Sequence, residues 1–329
     1  MWPGPSDEVV VGEGPEVPDA VVVRAGPEPS DEVRSAPDRG RRMTADGAAV
    51  VPFGDRLAAA MDVHGPVCVG IDPHPGLLEA WGLSDDAAGL RSFGLRVVEA
   101  LGGRVAALKP QSAFFERHGS AGVAALEDVL AAARGAGTLT VLDVKRGDIG
   151  STMAGYAEAY LRDGGPLTAD AVTLSPYLGF GSLRPALDLA RQTGRGVFVL
   201  ALTSNPEGAA VQHARTAGGS VAGEMVDGAR TENDAAPGAR LGSVGLVVGA
   251  TIGSAVADLG LDLASVRGPL LAPGVGAQGA GAAELAEVFG AARHQVLAST
   301  SRGVLGAGPD GLVDALARAV DQAREALGR

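Results

Sequence analysis

The 329 residues, 46% of them hydrophobic, are enough to bury one large core or two ordinary ones, which excludes a chain that is disordered throughout. A formal net charge of -12 with no cluster of basic residues in the globular part argues against a nucleic-acid partner, since phosphate backbones reward a basic surface. The lone cysteine, Cys68, allows no intramolecular disulfide, and no apolar stretch approaches the ~20 residues needed to cross a bilayer; with no basic-then-apolar signal at the start, a cytoplasmic protein without a membrane partner is expected.

Residues 1–42 hold 7 of the 20 prolines, nine acids and five arginines, with short valine runs that keep neither a helical nor a strand period. Residues 1–48 therefore read as a disordered acidic extension, and Met43 offers an alternative start of translation. Residues 49–329 read as a single domain. From Val67 onward one phrase repeats: an apolar run that ends in polar residues or glycine, followed by a helical stretch rich in Ala, Leu, Glu and Arg. The runs are VCVGID (67–72), VAALKP (105–110), LTVLDVK (139–145), AVTLSPY (171–177), GVFVLAL (196–202), VGLVVGAT (244–251), LLAPGV (270–275) and VLASTS (296–301). Between them, segments such as GVAALEDVLAAARGAG and AAELAEVFGAAR place apolar residues three and four apart and end in glycine or a basic residue. Eight strand-helix units with near-continuously apolar strands predict an α/β fold closed as a (β/α)8 TIM barrel, both strand faces being buried. An open doubly wound sheet shares the alternation, but the count favours closure. The stretch 206–242, with its Gly, Asp, Asn and Pro-rich GARTENDAAPGAR, is expected to be a mobile excursion after the fifth strand and a candidate lid.

The cations are unevenly chosen: 25 arginines against two lysines, Lys109 and Lys145. Guanidinium cannot release a proton near neutral pH, whereas a lysine ammonium can act as an acid, so the two lysines stand out as chemical candidates. Both close a strand. In a (β/α)8 barrel the active site lies at the C-terminal strand ends, and the polar residues there are Asp72, Lys109, Asp143 and Lys145, then Asp148, Ser204, Gln278 and Arg302. Asp143 and Lys145, two apart on a strand, leave on one face; with Asp72 and Lys109 from neighbouring strands they form an alternating Asp-Lys-Asp-Lys array. Such an array could simply close the barrel top as salt bridges, yet it uses both lysines of the chain and sits where sites sit. The histidines, His64, His74, His118, His213 and His294, show no metal-ligand spacing, so no metal is expected. GVGAQG lacks the context of a dinucleotide loop and reads as a tight turn facing a phosphate.

DVKRGDIGST, with its DxKxxD pattern, resembles the signature of the orotidine 5'-phosphate decarboxylases, in their long-chain branch. The resemblance runs from Phe53 to the C-terminus through GIDPHP at Asp72, ALKPQSAFFE at Lys109, ALTSNPEG at Ser204, APGVGAQG at Gln278 and STSRG at Arg302. It implies decarboxylation of orotidine 5'-monophosphate to UMP with no cofactor and no metal. Lys145 would protonate C6 while Asp143 holds it, with Asp148 also catalytic. Lys109 and Asp72 would bond the ribose. Ser204 would meet the pyrimidine, Gln278 would link base and phosphate, and Arg302 would grip the phosphate with backbone amides near Gly303. It also implies a homodimer in which Asp148 and Thr152 reach into the neighbouring site. Two other readings compete: a metal-dependent sister acting on a keto-sugar phosphate, or a nucleotide-binding protein without catalysis.

Overall fold

The computed structural model describes residues 50–235, 240–275 and 280–329. The expected extension 1–48 lies outside them. Eight strands, β1 (Val67–Ile71), β2 (Ala107–Pro110), β3 (Leu139–Arg146), β4 (Ala171–Leu174), β5 (Gly196–Leu202), β6 (Val244–Val248), β7 (Leu270–Pro273) and β8 (Val296–Thr300), pair in parallel in chain order, and β1 closes on β8. This is the (β/α)8 barrel that the repeating phrase predicts. The helices used below are α1 (Phe53–His64), α2 (Ala87–Leu101), α3 (Ser112–Glu116), α4 (Gly119–Gly135), α5 (Gly150–Leu161), α6 (Arg184–Thr193), α7 (Val221–Asp234), α8 (Ala282–Phe289), α9 (Arg302–Leu305) and α10 (Leu312–Leu327). The runs at 171–177 and 244–251 leave the ladder at Leu174 and Val248, and their polar ends become loops at the mouth.

Two apolar clusters follow from the two faces of each strand. The outer one lies between strands and helices, where residues such as Val69, Leu108 and Leu142 meet Phe93 of α2 and Val129 of α4. The inner one fills the barrel floor, and α1 supplies its plug. Phe53, Leu57 and Met61, one face of α1 at helical spacing, pack with one residue from each of the eight strands, from Cys68 on β1 round to Leu297 on β8. Phe53 meets Phe198 of β5 edge to face, with ring centroids 6.0 Å apart. Gly196 opens β5 beneath the Phe53 ring because a Cβ there would collide with it. Burial at this floor pushes the Cys68 thiol up to about 12, as expected of a small buried hydrophobe.

The stretch 206–242 corrects the reading as a mobile excursion. It holds a short turn at 206–212, a two-stranded hairpin pairing Arg215 with Ser220, and the fourteen-residue helix α7. The residues that resemble loop formers have packing duties. Gly228 lies against the ring of Phe180, where a Cβ would not fit. The Asn233 side chain donates to the Val244 and Val266 carbonyls and accepts from the Val244 N–H. Glu232 pairs with Arg184 and Arg191 of α6. Residues 236–239, the last part of the Pro-Gly patch, lie outside the described residues. No helix among the described residues is long and apolar enough to cross a membrane.

Candidate active site

The polar ends of the strands converge on a cavity that opens at the C-terminal mouth of the barrel, lined there by Asp72, Lys109, Asp143, Lys145, Arg302 and Gly303; its full volume of about 1120 Å³ also runs along α10 past Ala315, Arg318 and Ala323. The centre of the mouth is Asp143. One carboxylate oxygen, Oδ1, accepts from the Lys145 ammonium at 2.6 Å and from the Thr173 hydroxyl at 2.7 Å; the other, Oδ2, accepts from Lys109 at 3.3 Å. Lys109 Nζ lies 3.9 Å from Asp72 Oδ1, and Ser301 Oγ donates to Asp72 Oδ2. The four expected charges therefore form one continuous array. Three of them are buried, while the Lys145 side chain is 47% exposed and faces the opening.

Burying charges is costly unless they pair, and here the pairing wins. Burial would raise the Asp143 carboxyl, but Lys109, Lys145 and the Thr173 bond together hold it below the ordinary 3.8. Burial likewise pulls Lys109 down, and Asp72 and Asp143 more than offset it, leaving the ammonium above its ordinary 10.5. Asp143 and Lys109 are thus both charged across the neutral range. Asp72 Oδ1 is buried without a hydrogen bond, an acceptor left over for a hydroxyl donor from a bound molecule.

Asp143 and Lys145 meet, though regular strand alternation is not the cause. Leu142 pairs with Val172 and Arg146 with Leu174, so β3 spends four residues where β4 spends two. Lys145 occupies this bulge with φ +45°, a left-handed backbone unusual for a residue with a side chain. The turn that follows is tight: Ser175 N–H donates to the Arg146 carbonyl at 2.8 Å, and a Cβ on Gly147 would run into the Ser175 carbonyl.

The other expected residues divide. Arg302 opens the short helix α9 and, with Gly303, lines the cavity. Asp148, on the turn after β3, accepts from its neighbour Ile149 N–H, and Thr152 is exposed on the first turn of α5; neither lines the cavity of its own barrel. Ser204 is exposed on the loop leaving β5, also off the cavity wall. Gln278 lies outside the described residues. Sequence reasoning missed Thr173 and Ser301, whose hydroxyls donate to Asp143 Oδ1 and Asp72 Oδ2. Thr173 is the one polar residue in AVTL, a signal that an apolar run hides; Ser301 stands in the STSRG motif, where Arg302 drew the attention. His74 and Gln111 also line the cavity, His74 packed edge-on against Phe114 with centroids 4.2 Å apart. Among the described residues no group of three His, Cys, Asp or Glu side chains is placed to hold a metal ion.

A closed parallel barrel that holds a buried, alternating array of carboxylates and ammoniums at its C-terminal mouth is the architecture of a (β/α)8-barrel enzyme working with fixed charges. The model of the orotidine 5'-phosphate decarboxylase / HUMPS family matches residues 65–315. Orotidine 5'-phosphate decarboxylase of Salinispora arenicola is 62% identical over 271 residues, covering 82% of this chain and 95% of that protein. The enzyme of the same name from Streptomyces coelicolor is 60% identical over 273 residues, with the same coverage. Among solved structures, a Streptomyces avermitilis protein assigned to this activity superposes with a TM-score of 0.81 at 56% identity, over 88% of this chain and all of its own. Leishmania donovani OMP decarboxylase superposes with a TM-score of 0.66 at 32% identity, over 85% of this chain and all of its own. The chain belongs to the orotidine 5'-phosphate decarboxylase family, and that membership places it among the carboxy-lyases.

Proposed function

We propose that this protein converts orotidine 5'-monophosphate to UMP and CO2, the last step of de novo UMP biosynthesis, as a cytoplasmic enzyme that uses no metal or organic cofactor. The names of relatives at 62% and 60% identity support the reaction. The observation that carries the mechanism is Asp143, held between two ammoniums and a hydroxyl at the cavity wall. When the bond from C6 of the pyrimidine to its carboxylate breaks, the electron pair stays on C6 and CO2 departs. A ring that delocalises this pair poorly leaves its stabilisation to preorganised cations. Lys145 Nζ, fixed by Asp143 and facing the opening, opposes the developing charge and then transfers its proton to C6. The resulting neutral amine regains a proton from solvent, which reaches its half-exposed side chain.

The remaining roles follow the site. Asp72 Oδ1, the buried acceptor without a hydrogen bond, takes a ribose hydroxyl, and Lys109 stands beside it as its ion-pair partner. Arg302, whose guanidinium fork suits a phosphate, grips the 5'-phosphate with the backbone near Gly303. Ser204 and Gln278 are assigned to the pyrimidine edge and to the link between base and phosphate. Asp148 and Thr152 serve the neighbouring site of a homodimer: they lie off the cavity of their own barrel, and the loops leaving the adjacent strands β3 and β4 expose Ile149, Tyr177 and Leu178. An exposed apolar group of this kind is what an interface covers.

The test follows the absorbance of orotidine 5'-monophosphate on addition of purified protein, with chelator present throughout. Conversion to UMP under chelator is expected. Absence of conversion, with magnesium-dependent activity on a keto-sugar phosphate, would move the chain to the HUMPS side of its family.

A further inference from the structure

The peptide unit joining Val144 to Lys145 is gripped by a side chain at each end. Its N–H donates to Thr173 Oγ1 at 3.0 Å, and its carbonyl accepts from Arg146 Nη1 at 3.0 Å. The bulge explains the need, because the extra residues of β3 fall out of step with β4 and the ladder leaves this peptide without its ordinary partners. Rotation about the next bond is the φ of Lys145, whose +45° is the strained setting that turns the ammonium toward Asp143. Arg146 itself does not line the cavity.

We propose that Arg146 is a positioning residue: with Thr173 it clamps the 144–145 peptide, holds Lys145 in its left-handed backbone and so aims the ammonium at Asp143 and the cavity. The inference rests on the role assigned to Lys145 above. The guanidinium is fixed from its other side. Nη2 donates to Glu116 Oε1 at 2.5 Å, Glu116 accepts from Ser112 Oγ at 2.8 Å, and the Tyr156 ring lies beneath the guanidinium at 5.9 Å. Glu116 and Ser112 belong to α3, the short helix that follows the strand carrying Lys109. A single fork thus ties the backbone under one lysine to the helix behind the other. An ammonium has no rigid fork to serve a carbonyl and a carboxylate at fixed angles, so arginine is the residue this duty calls for. A plain surface ion pair with Glu116 would contribute little to stability and nothing to turnover, and that difference can be measured.

The chain has only two lysines, so protein labelled with 15N and 13C at lysine shows two side-chain signals, from Lys109 and Lys145. In Arg146→Ala the Lys145 signal should shift or broaden while that of Lys109 stays in place. In the same variant kcat on orotidine 5'-monophosphate should fall roughly tenfold to hundredfold, with KM and UMP affinity within about twofold of wild type, because orientation is lost and binding is kept. Arg146→Lys, which keeps one donor for the Val144 carbonyl, should recover part of kcat. An unchanged Lys145 signal in Arg146→Ala, or a loss confined to KM, overturns the proposal. If Arg146→Ala fails to fold, Glu116→Gln, which slackens the far end of the fork, takes its place: a moved Lys145 signal with lowered kcat supports the clamp, and an unmoved signal or a loss confined to KM overturns it. Should the wild-type protein leave orotidine 5'-monophosphate unconverted, the functional reading fails, and the Lys145 signal alone decides the clamp.

Discussion

Asp143 answers two ammoniums and a hydroxyl at once, so the site is sensitive to any change at that carboxylate. Its carboxyl is depressed by those partners; the stability it contributes is present above the unfolded value near 3.8 and is lost as pH falls through the lower folded value. Lys109 is shifted upward, so its contribution is present below 10.5 and is lost as pH rises through the higher folded value. Urea midpoints should therefore be level across the neutral range and fall at both extremes, and Asp143→Asn should flatten the acid limb; an acid limb as steep as wild type in that variant would assign the loss to other carboxylates. Lys145→Ala is expected to abolish turnover while UMP binding, followed by calorimetry, persists; near-normal activity would end the mechanism proposed here. Thr173→Val removes a donor from Asp143 and the acceptor of the Lys145 N–H, and should cost about 1–3 kcal/mol in urea unfolding as well as lowering kcat. The Asp143 and Lys145 pair was legible from the rarity of lysine and its place at a strand end, although the bulge, not the alternation that their spacing implies, brings the two together. Thr173 was not, because one threonine in a buried apolar run has the same appearance whether it packs or bonds. The bulge was not legible either, since nothing in DVKRG announces that a lysine takes a backbone usually left to glycine.

At the scale of elements, alternation of apolar runs with helical periods was enough to read eight strands, since each unit repeats the same physical requirement of burial on both faces. The function of α1 was less visible. PFGDRLAAAMDVHG reads as an ordinary amphipathic helix, and only closure of the barrel shows that its apolar stripe seals the floor. Phe53→Ala should cost about 3–5 kcal/mol, because the ring is fully buried against Phe198 and Gly196 and leaves a cavity that the barrel cannot collapse around. Thermal or urea unfolding measures this, and kcat at 25 °C should hardly change, the plug being at the opposite end from the mouth. Helix α7 was misread as a loop for a related reason. Glycine, asparagine and acids score as turn formers when their partners are unknown, but Gly228, Asn233 and Glu232 are chosen by Phe180, the Val244 backbone and the arginines of α6.

For the molecule as a whole, a chain of net charge -12 places both of its lysines and Arg302 at one mouth, where the proposed anionic substrate would meet local positive charge, and the proposed pairing of barrels would bring further charges to each site. That arrangement predicts complementation. Lys145→Ala and Asp148→Ala are each expected to be nearly inactive. In a hybrid dimer one site would carry both lesions and the other neither, so mixing equal amounts after subunit exchange should restore about a quarter of wild-type activity. If mixing restores nothing although exchange has occurred, Asp148 acts within its own barrel.

The sealed floor also makes the protein its own stopwatch. Cys68 is the only thiol in the chain; it is fully enclosed beneath α1 and poorly ionised at neutral pH. A thiol reagent can reach it only when the plug lifts or the barrel opens, so with reagent in enough excess to outpace reclosing, the rate at which a colorimetric disulfide is consumed counts opening events in the native protein, one per chain, without denaturant or an engineered label.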